Sequence, residues 1–118
     1  MKTAIILHGK LSKEGYYSPD RKAQSNSHWL SWIQHELLLV DYLAQTPELP
    51  EPYNPNYGNW KKMFERFDIN ENTILIGHSR GAAFFVRYLS ENKINTDKVA
   101  LIAPSIDIQD KEAENGFF

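Results

Sequence analysis

Five residues, Gly77-His78-Ser79-Arg80-Gly81, carry the strongest chemical signal in the chain. They spell G-x-S-x-G, the nucleophile-elbow pattern, in which a serine occupies a strained turn between a strand and a helix. A side chain at Gly77 or Gly81 would collide with neighbouring backbone. The serine hydroxyl instead projects at the top of a sheet, above the positive end of the following helix. The backbone N–H of Arg80 can then donate to the oxyanion formed when Ser79 attacks a carbonyl. Chance alone places G-x-S-x-G in a chain this long roughly four times in a hundred, so the flanking elements must decide. The same residues also suit a glycine-flanked turn with a serine helix cap, or a phosphate-binding turn. The phosphate reading lacks both GxGxxG and the Walker lysine.

His8-Gly9 closes the first apolar run. Where a serine nucleophile follows a later strand, that turn supplies the second oxyanion N–H, here from Gly9 or Lys10. Taken alone, it is equally a strand-ending glycine. A serine hydroxyl also needs a base and a carboxylate to orient that base. The usual chain order is Ser, then Asp or Glu, then His, yet all four histidines (8, 28, 35 and 78) precede Ser79. His8 is the nearest substitute by topology, although its expected role is to shape the oxyanion turn. His78 is expected to pack behind the turn, His28 to pack or cap near a helix start, and His35 to be solvated. Asp107 follows the last expected strand and reads as a loop carboxylate. No metal-ligand spacing is present, so no metal is expected.

These residues need a scaffold that gathers them. Thr3 to Leu7 reads as a strand buried on both faces, followed by a long loop over residues 10 to 27. Ser27 can cap a helix carrying Trp29, Trp32, Ile33 and Leu37, and both tryptophans read as core. Leu37 to Leu43 reads as the second strand. Thr46 to Pro52 holds three prolines and can continue neither helix nor sheet. Trp60, Met63, Phe64 and Phe67 recur at helical spacing. Thr73 to Ile76 reads as the third strand, Ser79 to Asn92 as a helix, and Val99 to Ala103 as the fourth strand. Strands alternating with helices predict a mostly parallel sheet in a three-layer α/β/α sandwich. The residues just after Leu7, Ile76 and Ala103, at the carboxyl ends of strands, then form the site.

Composition bounds the partners. The chain has 118 residues, with 42% hydrophobic and 24% charged, as expected for one globular domain. Its net charge of −2 argues against binding nucleic acid or an anionic membrane. The absence of cysteine removes disulfides, thiolate zinc sites and a cysteine nucleophile. No apolar run approaches a membrane span, and the N-terminus does not read as a signal peptide, so a cytoplasmic location is the default.

His8-Gly9, Ser27-His28-Trp29-Leu30-Ser31-Trp32, the Pro-rich stretch, Gly77 to Gly81 and Leu101-Ile102-Ala103-Pro104 together resemble a known family. It is that of the small α/β-hydrolases typified by retinoblastoma-binding protein nine and its bacterial YdeN-type relatives. The resemblance runs the length of the chain and matches roughly the first three-fifths of the family's length. It implies a serine hydrolase acting on ester or amide bonds of small substrates, with no metal or cofactor. It also implies that the Asp and His partners come from later strands, so residues 1–118 read as a single partial domain, incomplete on its C-terminal side. Phe117-Phe118 fits an interrupted domain. In the strand order 2-1-3-4, the fourth strand would be an edge here and would favour a homodimer or aggregation. The alternatives are a non-catalytic interaction or ligand-binding module and, more remotely, a flavodoxin-like binder of a phosphorylated ligand.

Overall fold

The computed structural model describes residues 2–105. Four strands, β1 (Lys2–Leu7), β2 (Tyr42–Gln45), β3 (Thr73–His78) and β4 (Lys98–Ile102), form one sheet in the order β2-β1-β3-β4. Every pairing is parallel, with Ala4 opposite Ala44 and Ile74, and Ile76 opposite Ala100. Between the strands lie α1 (Lys13–Tyr16), α2 (Leu30–Leu39), α3 (Tyr57–Phe64) and α4 (Arg80–Glu91). The order and the α/β class are those expected from the sequence.

Alternation along the strands builds two cores. Ile5, Leu7 and Leu75 face α3 and α4, where Trp60 packs tilted against Phe84, Phe64 packs edge to face on Phe84, Phe85 and Tyr88, and Phe84 stacks on Tyr88. Ala4, Ile6 and Ile76 face α2 through Leu30, with Trp29, Ile33 and Leu37 at the margin. Helices therefore cover both faces of the sheet.

Several boundaries differ from the sequence reading. Leu37 to Leu39 belong to α2, and Val40-Asp41 form the turn into a shorter β2. Asp41 takes a φ of 66°, which no helix or strand continues. Ser27 does not cap α2, whose N-cap is Trp29. The Ser27 hydroxyl turns back to donate to the carbonyls of Ala23 and Lys22. Trp32, expected in the core, is 61% exposed. The long loop after β1 is partly ordered, with α1 capped by the Ser12 hydroxyl and a 3₁₀ turn at Gln24–Asn26. α3 ends at Phe64, although Phe67 still packs on the aromatic core. Asp107 lies outside the described residues.

Candidate functional site

β3 runs into α4 through Gly77-His78-Ser79-Arg80-Gly81, and the backbone there has no room for side chains. A Cβ on Gly77 would stand 2.7 Å from Ala82 Cα and N. One on Gly81 would stand 2.5 Å from the carbonyl oxygen of His8. The two glycines thus let α4 come down onto the end of β1, which brings the first and third strand ends together. Ser79 sits between them with φ 55° and ψ −115°, a conformation that costs a non-glycine residue roughly 1–3 kcal/mol. Its N–H donates to Ile102 at 2.9 Å, and its carbonyl accepts from Ala83 and Ser105, each at 3.1 Å. The end of β4 therefore holds the turn in its strained shape.

The His8-Gly9 turn meets this serine. A methyl group on Gly9 would stand 2.9 Å from Ser79 Cβ and 3.4 Å from its Oγ. Arg80, the first residue of α4, directs its N–H out of the helix, because first-turn amides have no intrahelical acceptor. Gly9, Lys10, Ser79 and Arg80 are thus gathered at the carboxyl ends of β1 and β3.

His8 is fully buried, and both ring nitrogens are committed. Nε2 accepts from the Leu49 N–H at 2.8 Å, which puts the proton on Nδ1, 2.9 Å from the Gly9 carbonyl. Glu48 Oε1 lies 3.7 Å from Nε2, too far for a hydrogen bond. Burial holds the imidazole below its ordinary pKa, against the opposing pull of the Gly9 carbonyl and Glu48. The Pro-rich stretch explains the arrangement: Leu49 is buried, and the Pro50 carbonyl accepts from the Trp60 indole at 2.9 Å.

The other histidines do not reach the serine. His78 packs against Trp29 with ring centroids 5.4 Å apart, its pKa lowered by burial and then by nearby His28. His28 is exposed with φ 57°, beside Arg21 and Lys22, and His35 is exposed on α2. Ser79 Oγ forms no hydrogen bond to any of the four.

A cavity of about 490 Å³ opens over Ser79, with Lys10, Leu11, Lys13, Tyr53 and Ser105 among its lining. Lys13 and Tyr53 escaped the sequence reading. The rule that loops at the carboxyl ends of strands form the site would have found Tyr53, had it been applied to β2 as well. Among the described residues, no cluster of three or more His, Asp or Glu side chains could hold a metal, and no helix is long and apolar enough to cross a membrane.

Residues 16–116 match the family model described as serine hydrolase. The chain belongs to this family. It is also 26% identical over 97 residues to YdeN of Bacillus subtilis strain 168, a protein with a provisional hydrolase name. That match covers 80% of this chain and 51% of YdeN. The crystal structure of the ydeN gene product superposes with a TM-score of 0.64 at 26% identity, over 80% of this chain and 46% of that one. This chain spans about half the length of the curated relative it matches. Family and relative together support a hydrolase function in general terms.

Proposed function

We propose that this chain carries the nucleophile and oxyanion part of a serine hydrolase that cleaves ester or amide bonds of small substrates. The observation that carries the reading is the Ser79 turn: strained serine backbone, flanking glycines that admit no Cβ, and Gly9 against the hydroxyl. In the reaction, Ser79 Oγ bonds to the substrate's carbonyl carbon. Negative charge collects on the carbonyl oxygen, opposite the N–H groups of Arg80 and of Gly9 or Lys10. The bond to the leaving group then breaks, and the leaving group takes up the proton that the hydroxyl lost. Water cleaves the acyl-serine in a second, equivalent step. The four histidines supply no proton acceptor in contact with Ser79, so turnover by residues 1–118 should stay near the ~10³-fold over water that oxyanion stabilisation and binding sustain without a full triad.

The commitment of both His8 nitrogens favours a second reading, a module that binds a ligand or partner without turnover. Intact mass before and after treatment with a neutral fluorophosphonate separates the two. One adduct, absent in Ser79→Ala, supports the hydrolase reading. An unlabelled protein supports the module.

A further inference from the structure

The stretch from Lys10 to Ala23 stands apart from both cores. No residue in it is buried, although Leu11, Tyr16 and Tyr17 lie within it. None of these three joins either hydrophobic cluster. Both ends are pinned. On one side Gly9 is buried against Ser79, and its carbonyl accepts from His8 at 2.9 Å. On the other, Gln24 and Ser25 are buried, and the Ser25 N–H donates to Glu48 Oε2 at 2.8 Å. Between these anchors the chain is tied to itself: the N–H of Tyr16 donates to the Ser12 carbonyl at 2.8 Å, that of Tyr17 to Lys13 at 3.1 Å and that of Arg21 to Ser18 at 3.3 Å. The segment is an internally bonded strap with fixed ends and no core beneath it.

The strap is fastened at Pro52 and Tyr53. The Leu11 N–H donates to the Pro52 carbonyl at 3.2 Å. Tyr16 meets the Tyr53 ring edge to face with centroids 5.6 Å apart, and Tyr17 lies tilted against it at 6.0 Å. Lys13 Nζ stands 5.7 Å from the centroid of the same ring. Ring and cation contacts of this kind are individually weak where water reaches them, and Tyr17 is 63% exposed. A segment held by a few exposed contacts opens far more readily than helices packed on a core. This one lies over the serine: Lys10, Leu11, Ser12 and Lys13 line the Ser79 cavity together with Tyr53. Lifting it widens the way to Ser79 and leaves the turn in place, because His8 holds Gly9 independently.

We propose that residues 10–23 form a hinged lid over Ser79, latched on Tyr53 by the rings of Tyr16 and Tyr17, and that the latch limits how large a substrate group reaches the serine. The size selection rests on the proposed hydrolase reading, whereas the opening of the lid does not.

The experiment pairs amide hydrogen exchange, read residue by residue in the 118-residue protein, with labelling of Ser79 by a small and a bulky neutral fluorophosphonate. The variant is Tyr16→Ala with Tyr17→Ala, which takes both rings from the latch and removes none of the cavity lining. Alanine is the better helix former, so the change does not loosen α1 from within. The amide of Leu11 reports the Pro52 bond, and those at positions 16 and 17 report α1, since a four-residue helix does not survive once it is lifted off. In the wild type these three should exchange about a hundredfold or more faster than the Phe84 and Phe85 amides of α4. In the variant they should speed up by a further factor of about five or more, the value of two lost ring contacts, with Phe84 and Phe85 unchanged. Labelling by the bulky probe should rise about threefold or more relative to the small one. Exchange that matches Phe84 and Phe85 in the wild type, or that the variant leaves unchanged, would overturn the lid. Faster exchange with an unchanged ratio of labelling rates would overturn the size selection. Faster exchange in a protein that neither probe labels would remove the hydrolase reading and keep the lid.

Discussion

His8 Nδ1 donates to the carbonyl of Gly9 at 2.9 Å, so the side chain just after β1 fixes the Gly9–Lys10 peptide. In a trans peptide the carbonyl and the next N–H point in opposite directions. Tying the Gly9 carbonyl inward to His8 therefore turns the Lys10 N–H outward. A buried histidine that cannot act as base can in this way orient a candidate oxyanion donor.

His8→Phe keeps ring volume and removes both hydrogen bonds. Fluorophosphonate labelling of Ser79 should slow by about tenfold or more, a fraction of what loss of one oxyanion donor costs. The Leu49 N–H and Gly9 carbonyl would lose their partner, at roughly 1–3 kcal/mol for each group left unsatisfied. His8→Asn, whose amide can reach the Nδ1 position, should recover part of the labelling rate at similar stability. Labelling kinetics and urea midpoints of the two variants test this, and equal rates in wild type and both variants would remove His8 as a positioning residue.

The same burial gives stability a pH dependence. The pKa of His8 and that of His78 are both lowered in the fold. In the unfolded chain both return to about 6.5, so the unfolded state binds more protons as pH falls past that value. Stability is therefore full above about pH 6.5 and declines as pH falls through the lowered folded values, by at most ~1.4 kcal/mol per pH unit for each group. Urea midpoints between about pH 7.5 and pH 5.5 should fall, and His8→Phe should flatten the decline. A midpoint that rises on acidification would mean that Glu48 outweighs burial and holds His8 protonated.

Gly81→Ala should be among the most damaging single-methyl changes available, because its Cβ would stand 2.5 Å from the His8 carbonyl oxygen and 2.6 Å from that of Leu7. Both neighbours are backbone of a central strand and cannot swing aside. A loss of about 3 kcal/mol or more is expected, at the upper end of overpacking costs. Gly58→Ala is the control, since its nearest neighbour is the Asn56 side chain at 3.3 Å. Thermal midpoints of the pair decide the matter, and near-equal values would show that α4 can withdraw from β1.

How much of this was legible beforehand follows from which physics each stretch obeys. The Gly77 to Gly81 turn, the parallel order and the aromatic helix at Trp60 and Phe64 rest on strong local rules that tertiary context did not override. The Leu37 to Leu43 stretch had no such rule. A short apolar run has no period that tells helix from strand, and here Leu39 and Val40 are 65% and 63% exposed at the end of α2. Asp41 is the breaker in this stretch: Asp is a residue type that tolerates the left-handed φ it takes here. Trp32 was misplaced because its helical spacing assumed a wider apolar face than α2 buries. Lys13, which lines the cavity, sits on α1, and a four-residue helix inside a polar loop does not announce itself.

The aromatic core offers a contrast of burial. Phe84 is fully buried among Tyr57, Trp60, Phe64 and Tyr88. Phe84→Ala should cost ~3–5 kcal/mol, whereas Trp32→Ala should fall within about 0.5 kcal/mol of wild type. Chemical denaturation of both variants tests whether the α3–α4 layer, rather than α2, dominates the stability of the sheet.

β4 predicts how the protein behaves in solution. Among the described residues it pairs with β3 on one side, and all five of its residues are exposed. Val99 and Leu101 align with Leu75 and Gly77, so these two side chains share a face of the sheet. A second copy, turned antiparallel about Ala100, would set Val99 of one copy against Leu101 of the other and extend the sheet across a two-fold axis. Lys98 of each copy would meet Ile102 and stay clear of its mate, so no like charges face each other within the two paired strands. Sedimentation velocity should accordingly show a concentration-dependent dimer. Val99→Lys together with Leu101→Lys places like charges directly opposite each other and should return the monomer. A wild-type chain that stays monomeric at high concentration, or a double variant that still dimerises, would rule this edge out as the contact between copies.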